Sequence, residues 1–198
     1  IGLNSDSLLT LPSTVESLDL ILFDGEYSVS LTEPTAATKL GLFDTIQFDL
    51  SSFPNIKEML AWNFTLPLHL ADCTTLTSLD VSFDFPPSFT FPTSLRSLTV
   101  SLFCATTLPT TLLDGLVSLT NLDLSCDRHT LPIDLAHQTA LCKLRIQTSG
   151  PVLSLPSGLT ACTLPITQDT SLTALTALDE LVLEMKNSGA RVDLPSCV

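Results

Sequence analysis

Asp123, Cys126, Asp127 and His129 bring a thiol, an imidazole and two carboxylates within seven residues. A Cys–His pair does nucleophilic chemistry when the two side chains reach hydrogen-bond distance and a third group orients the imidazole. The local pattern argues against that here. Asn121-Leu122-Asp123-Leu124-Ser125 alternates polar and apolar residues, so Cys126, in phase with Leu122 and Leu124, points to their side of a strand. His129 falls beyond the end of the segment. Cys126 therefore reads as a small buried filler, as does Cys162 in its own segment. The chain has no G-x-S-x-G, H-E-x-x-H, Walker A or dinucleotide fingerprint. Its six cysteines (73, 104, 126, 142, 162, 197) contain no C-x-x-C pair, and six allow fifteen pairings among which spacing cannot choose. The expectation is a protein that is not an enzyme and takes no cofactor or metal.

Chemistry that needs only hydrogen bonds and charge is better served. Asp80 and Asp123 flank Ser97 and Thr99, with Asn121 and Arg145 alongside, if residues about 20 positions apart share one surface. Such a group accepts hydrogen bonds from a sugar, a basic peptide or a cation; the plainer alternative is a solvated sheet face. Asp80, Ser97, Thr99, Asn121, Asp123 and Arg145 are the candidate ligand-binding residues. Ile21, Phe43 and Met59 form a second candidate, an apolar contact patch on an acidic surface, which a preceding segment would equally cover.

What brings these residues together is a repeat. Leu76-Leu79-Val81, Leu95-Leu98-Val100, Leu119-Leu122-Leu124, Leu141-Leu144-Ile146 and Leu178-Leu181-Leu183 share one spacing. Nine copies begin at Val15, Ala37, Lys57, Leu76, Leu95, Leu119, Leu141, Leu159 and Leu178, in steps of 18 to 24 residues. A period this short leaves no room for a long crossover helix. Stacked copies place their alternating segments side by side as one parallel sheet, with the return segments covering its inner face. The returns carry Leu-Pro or Phe-Pro pairs, among them Leu11-Pro12, Phe91-Pro92, Leu108-Pro109, Leu155-Pro156 and Leu194-Pro195. Proline fixes φ and removes a donor, which suits the turn-back side. Short returns are predicted to be extended or 3₁₀. The long ones, Pro109–Leu119 and the Leu172-Leu175-Leu178 series, are predicted to hold a helical turn or two. Pro54 predicts the core triplet Lys57-Leu60-Trp62, leaving Met59, Ala61 and Asn63 outward; a slip of one residue would instead bury Ile56-Met59-Ala61.

The Leu-x-x-Leu-x-Leu pattern with a downstream Leu-Pro, recurring over about residues 8–198, resembles the leucine-rich repeat family. The short copies are similar to the compact repeats of bacterial effectors and protist proteins, the longer ones to the ordinary 22–24-residue type. The resemblance implies an α/β, β-rich solenoid: a parallel sheet on the concave face, with extended, 3₁₀ or short helical returns. It also implies a non-enzymatic module that binds a protein or glycan through that face. One departure is large. Where the family places an Asn that ties each turn to the next, this chain has Phe23, Thr45, Thr65, Asp84, Phe103, Asp127, Ser149, Thr167 and Lys186. Thr, Ser or Asp groups, or stacked Phe, must take over that role.

Composition bounds the partners. The chain has 198 residues, a net charge of −13 with eight Lys and Arg, and no basic cluster, which opposes binding to nucleic acid. Mean hydropathy is +0.41, yet no apolar run is long enough to span a bilayer. Few lysines, an acidic surface and the sequon Asn63-Phe64-Thr65, a candidate glycosylation site, favour an extracellular or cell-surface location. A cytoplasmic effector is the alternative. The whole of 1–198 reads as one array of about nine repeats. Repeat-like sequence starts at Ile1, and Pro195-Ser196-Cys197-Val198 repeats Pro12-Ser13-Thr14-Val15 in outline. The expectation is thus a fragment without complete caps, able to self-associate through open ends, as a wall, coat or filament subunit would.

Overall fold

The computed structural model describes residues 6–9, 11–12, 14–21, 27–31, 35–43, 46–48, 50–62, 70–83, 90–103, 112–126 and 133–195. It is a parallel-strand β-solenoid. Nine strands, Ser17–Ile21, Lys39–Phe43, Glu58–Trp62, Ser78–Phe83, Ser97–Leu102, Asn121–Cys126, Lys143–Thr148, Ala161–Ile166 and Glu180–Met185, form one sheet in chain order, each pairing with the next in parallel. The alternating copies form these strands because each has one apolar side to bury and one polar side to leave in water. In Ser97–Leu102 the inward Leu98, Val100 and Leu102 are buried while the residues between them are partly exposed. Register is kept from coil to coil: Leu79 lies opposite Leu98, Leu98 opposite Leu122, and Leu122 opposite Leu144. All four are buried in one continuous core.

The third copy departs from the proline-anchored reading. Glu58, not Met59, pairs with Lys39 and Ser78, and Trp62 pairs with Phe43 and Ser82. Ile56, Met59 and Ala61 are buried, while Lys57 is exposed and Trp62 is 47% exposed. The proline rule would have put the Lys57 ammonium at a core position between Ala37 and Leu76, an unpaired buried charge. It would also have forced an indole into a file otherwise filled by Leu, Val and Ile. Those costs outweigh the proline spacing.

The returns contain almost no helix. The one helical segment among the described residues is the short 3₁₀ turn Leu50–Ser52. The helical turns expected over the long returns are absent from 112–119 and 172–178; chained turns stand in their place. Leu116 N–H bonds to Leu113 O and Leu119 N–H to Leu116 O, and the same step joins Leu70, Cys73 and Leu76, and Leu135, Gln138 and Leu141. The residues that close these turns recur every third position, although Leu112 and Leu116 also stand four apart as an α-helix stripe would have them. Three residues per turn is 3₁₀ geometry. Short returns make a single such turn, from Pro12 to Val15, Pro92 to Leu95 and Pro156 to Leu159. Elsewhere the outer side forms small parallel ladders, Asp6–Leu9 with Tyr27–Leu31 and Ile46–Phe48, Ile133–Asp134 with Val152–Ser154, and Thr170–Ser171 with Val192–Asp193.

At the entrance to the main sheet the coils are tied by a regular device. The carbonyls of Glu16, Thr38, Lys57, Thr77, Arg96, Thr120, Cys142 and Thr160 each accept two N–H bonds from the next coil. The Thr77, Thr120 and Thr160 hydroxyls add a third bond, donating to the same carbonyls of the preceding coil at 3.2, 2.9 and 3.2 Å. These hydroxyls stand just before the strand, not three residues after the last core position. One asparagine bridges coils after all: Asn187 Nδ2 donates to Thr167 O at 3.3 Å.

Candidate functional site

The outward face of the sheet is built from alternate residues of the nine strands, so its rows run across the chain. The middle row reads Asp19, Gly41, Leu60, Asp80, Thr99, Asp123, Arg145, Thr163 and Val182. Ser97, Thr99, Asn121, Asp123, Lys143 and Arg145 line a shallow depression of about 240 Å³. The repeat therefore brings five of the six candidate residues into one concavity. The sixth, Asp80, lies directly beside Thr99. Lys143 belongs to the same depression and was not among the candidates, although its place in the repeat marks it as outward-facing.

Two carboxylates set the electrostatics. Partial burial pushes the Asp80 carboxyl above its ordinary value, against a hydrogen bond donated by Trp62 Nε1 to Oδ1 at 3.4 Å. Asp123 is also pushed up, first by burial; the Arg145 charge opposes the shift and the Asp80 charge adds to it. Two strand spacings separate these acids, about 9–10 Å between Cα atoms. Arg145 approaches Asp123 at only 3.7 Å, its own side chain half exposed and that of Asp123 partly so, so it neutralises the site weakly. A face with two incompletely compensated carboxylates and partly exposed hydroxyls at Ser101 and Ser125 is equipped to accept hydrogen bonds and positive charge.

The apolar patch is present with a changed membership. Ile21 is 54% exposed and Phe43 partly so, but Met59 is 4% exposed and belongs to the core. The one-residue register correction removes it and puts Trp62 on the face, with Leu60 in the row beside. Phe43 and Trp62 meet edge to face, ring centroids 6.0 Å apart at 75°, a favourable aromatic geometry. Lys39 and Glu58 pair at 2.8 Å on the row beyond. The signal that would have found Trp62 was available: Ile56, Met59 and Ala61 fit the core spacing without burying a lysine.

The Cys/His/Asp group does not assemble. Cys126 is fully buried while Asp123 lies on the opposite, outward face of the same strand; Asp127 and His129 lie outside the described residues, as does Asn63. Cys162 is held in the core with its thiol pushed up to about 12 by burial. Burial, aided by the Asp72 charge, also raises Cys73, which disfavours a reactive thiolate. Among the described residues no three His, Cys, Asp or Glu side chains gather as a metal site, and no helix is long and apolar enough to cross a membrane. No family model, characterised protein or solved structure matches the chain.

Proposed function

We propose that this chain is a non-enzymatic binding module of a secreted or cell-surface protein, of leucine-rich repeat type, that recognises a protein or glycan ligand through the exposed face of its nine-stranded sheet. The observation that supports this most is the convergence of Ser97, Thr99, Asn121, Asp123 and Arg145, contributed by three successive coils, on one depression with Asp80 at its edge. A stacked coil offers such a surface at little ordering cost, because the strands are fixed by the core whether or not a ligand is present. The test is selection from a peptide-display library and a glycan array on the wild-type chain, counter-screened against Asp80→Lys/Asp123→Lys. Ligands lost on that charge-reversed face support the reading. Ligands retained undiminished place binding elsewhere and overturn it.

A second reading is a structural subunit assembled end to end. It draws support from the edge strand Glu180–Met185, where Leu181 and Leu183 are only partly buried and Met185 is half exposed. Sedimentation that shifts with concentration, and stops shifting in Met185→Lys, would favour it.

A further inference from the structure

The sheet face changes character along the stack. Ile21, Phe43 and Trp62 occupy consecutive rungs of one row and form an apolar shelf with two aromatic members. In the adjoining row the sheet carries no side chain at Gly41, and the Asp19 carboxylate leans over that position so closely that a Cβ there would collide with Oδ1. The shelf is thus flanked along that one row by Asp19 at its first rung and by Asp80, bonded to the indole edge, one rung beyond its last. Asp123 stands two rungs further on. Among the described residues no Lys or Arg forms an ion pair with Asp19 or Asp80.

From this placement we propose that the shelf and its carboxylates dock a basic, extended peptide segment of a partner protein, an Arg or Lys side chain lying on Trp62 with its charge directed to Asp80 and the next basic residue reaching Asp123. The inference rests on the sheet face being the binding surface and specifies what it binds. Charge complementarity carries it. An indole face attracts a cation, most strongly one taken partly out of water, and the carboxylates of the adjoining row supply the counter-charge that a neutral sugar would leave uncompensated. The chain's net charge of −13 steers the same ligand toward the face. The spacing fits as well: in an extended strand residues i and i+2 lie about 7 Å apart on one side, and flexible basic side chains span the remaining distance to acids two rungs apart.

The experiment is fluorescence anisotropy with a labelled ten-residue peptide of alternating Arg and Ser, at 150 mM salt, against the same peptide with Glu for Arg. Saturable binding of the Arg peptide alone is expected. Asp80→Asn/Asp123→Asn should weaken it at least about ten-fold, and Trp62→Leu about five-fold. Asp114→Asn/Asp193→Asn, which removes the same charge from exposed positions off this face, should change it less than about two-fold. Circular dichroism establishes that each variant is folded. Equal losses in the two double variants would reduce the attraction to net charge and overturn the proposal, as would no binding. A neutral chitin hexasaccharide that binds and is lost in Asp80→Lys/Asp123→Lys, with no binding of the Arg peptide, would overturn the basic-peptide inference while leaving the sheet-face reading standing. Loss of both would remove the two together.

Discussion

The copies Leu119-Leu122-Leu124 and Leu178-Leu181-Leu183 share one motif and meet different fates. In the first, all three leucines are almost completely buried; in the second, all three are only partly buried. The difference is position. Asn121–Cys126 has a paired strand on each side, whereas Glu180–Met185 is an edge of the sheet. A leucine in this fold is buried by its neighbours' leucines, not by its own coil, which is why stability in stacked repeats resides largely at the junctions.

That contrast can be broken most forcefully by paired truncations. Leu122→Ala should cost about 3 kcal/mol and Leu181→Ala about 1 kcal/mol in urea unfolding; equal costs would mean that the edge coil is sealed as well as the centre. The next largest effect tests the third coil. Met59→Ala should cost about 2–3 kcal/mol and Trp62→Ala less than about 1 kcal/mol, and the reverse order would restore the proline-anchored register. A smaller effect concerns charge on the central face. Asp80 and Asp123 are both raised on folding, so the folded state favours their protonated forms. Their contribution to stability is present in acid and is lost as pH rises through the folded values. Asp80→Asn/Asp123→Asn should therefore raise Tm by about 1–3 °C at pH 7, with the gain vanishing by about pH 4. Smallest is Thr120→Val, which removes one of three bonds to the Arg96 carbonyl and should cost about 0.5–1 kcal/mol. The same substitution at the solvent-exposed Thr173, in a return beside the edge, should cost less.

Most of the sheet was legible because its signal is repeated. Leu79, Leu98, Leu122 and Leu144 each confirm the phase of the others, and the candidate residues followed from that phase. Two things were hidden. At the third copy a local rule, proline spacing, competed with the burial of a lysine; Ile56, buried like Ala37 and Leu76 of the coils on either side, takes the place the rule gave to Lys57. In the long returns, Leu112, Leu113, Leu116 and Leu119 supply both the i, i+3 and the i, i+4 spacing of a helical stripe, so the chained turns show only in the structure. Gln138 shows the limit of pattern reading. It occupies the middle turn corner that Leu116 and Leu175 fill elsewhere, and it is buried with Nε2 donating to Leu113 O at 3.1 Å. Nothing in the repeat distinguishes it from an exposed polar residue.

The doubled carbonyl bonds at the strand entrances have a mechanical corollary. At the strand entrances each of the eight junctions is fastened in the same sense, the later coil donating to the earlier one, whereas the outer ladders at Ile133 and Thr170 donate the other way. Under tension applied at its two ends, such an object should not rupture at once but peel from an edge, one coil after another. With 18 to 24 residues per coil and about 3.5 Å of contour per residue, each release lengthens the tether by about 6–8 nm, which would make the chain an extensible spring.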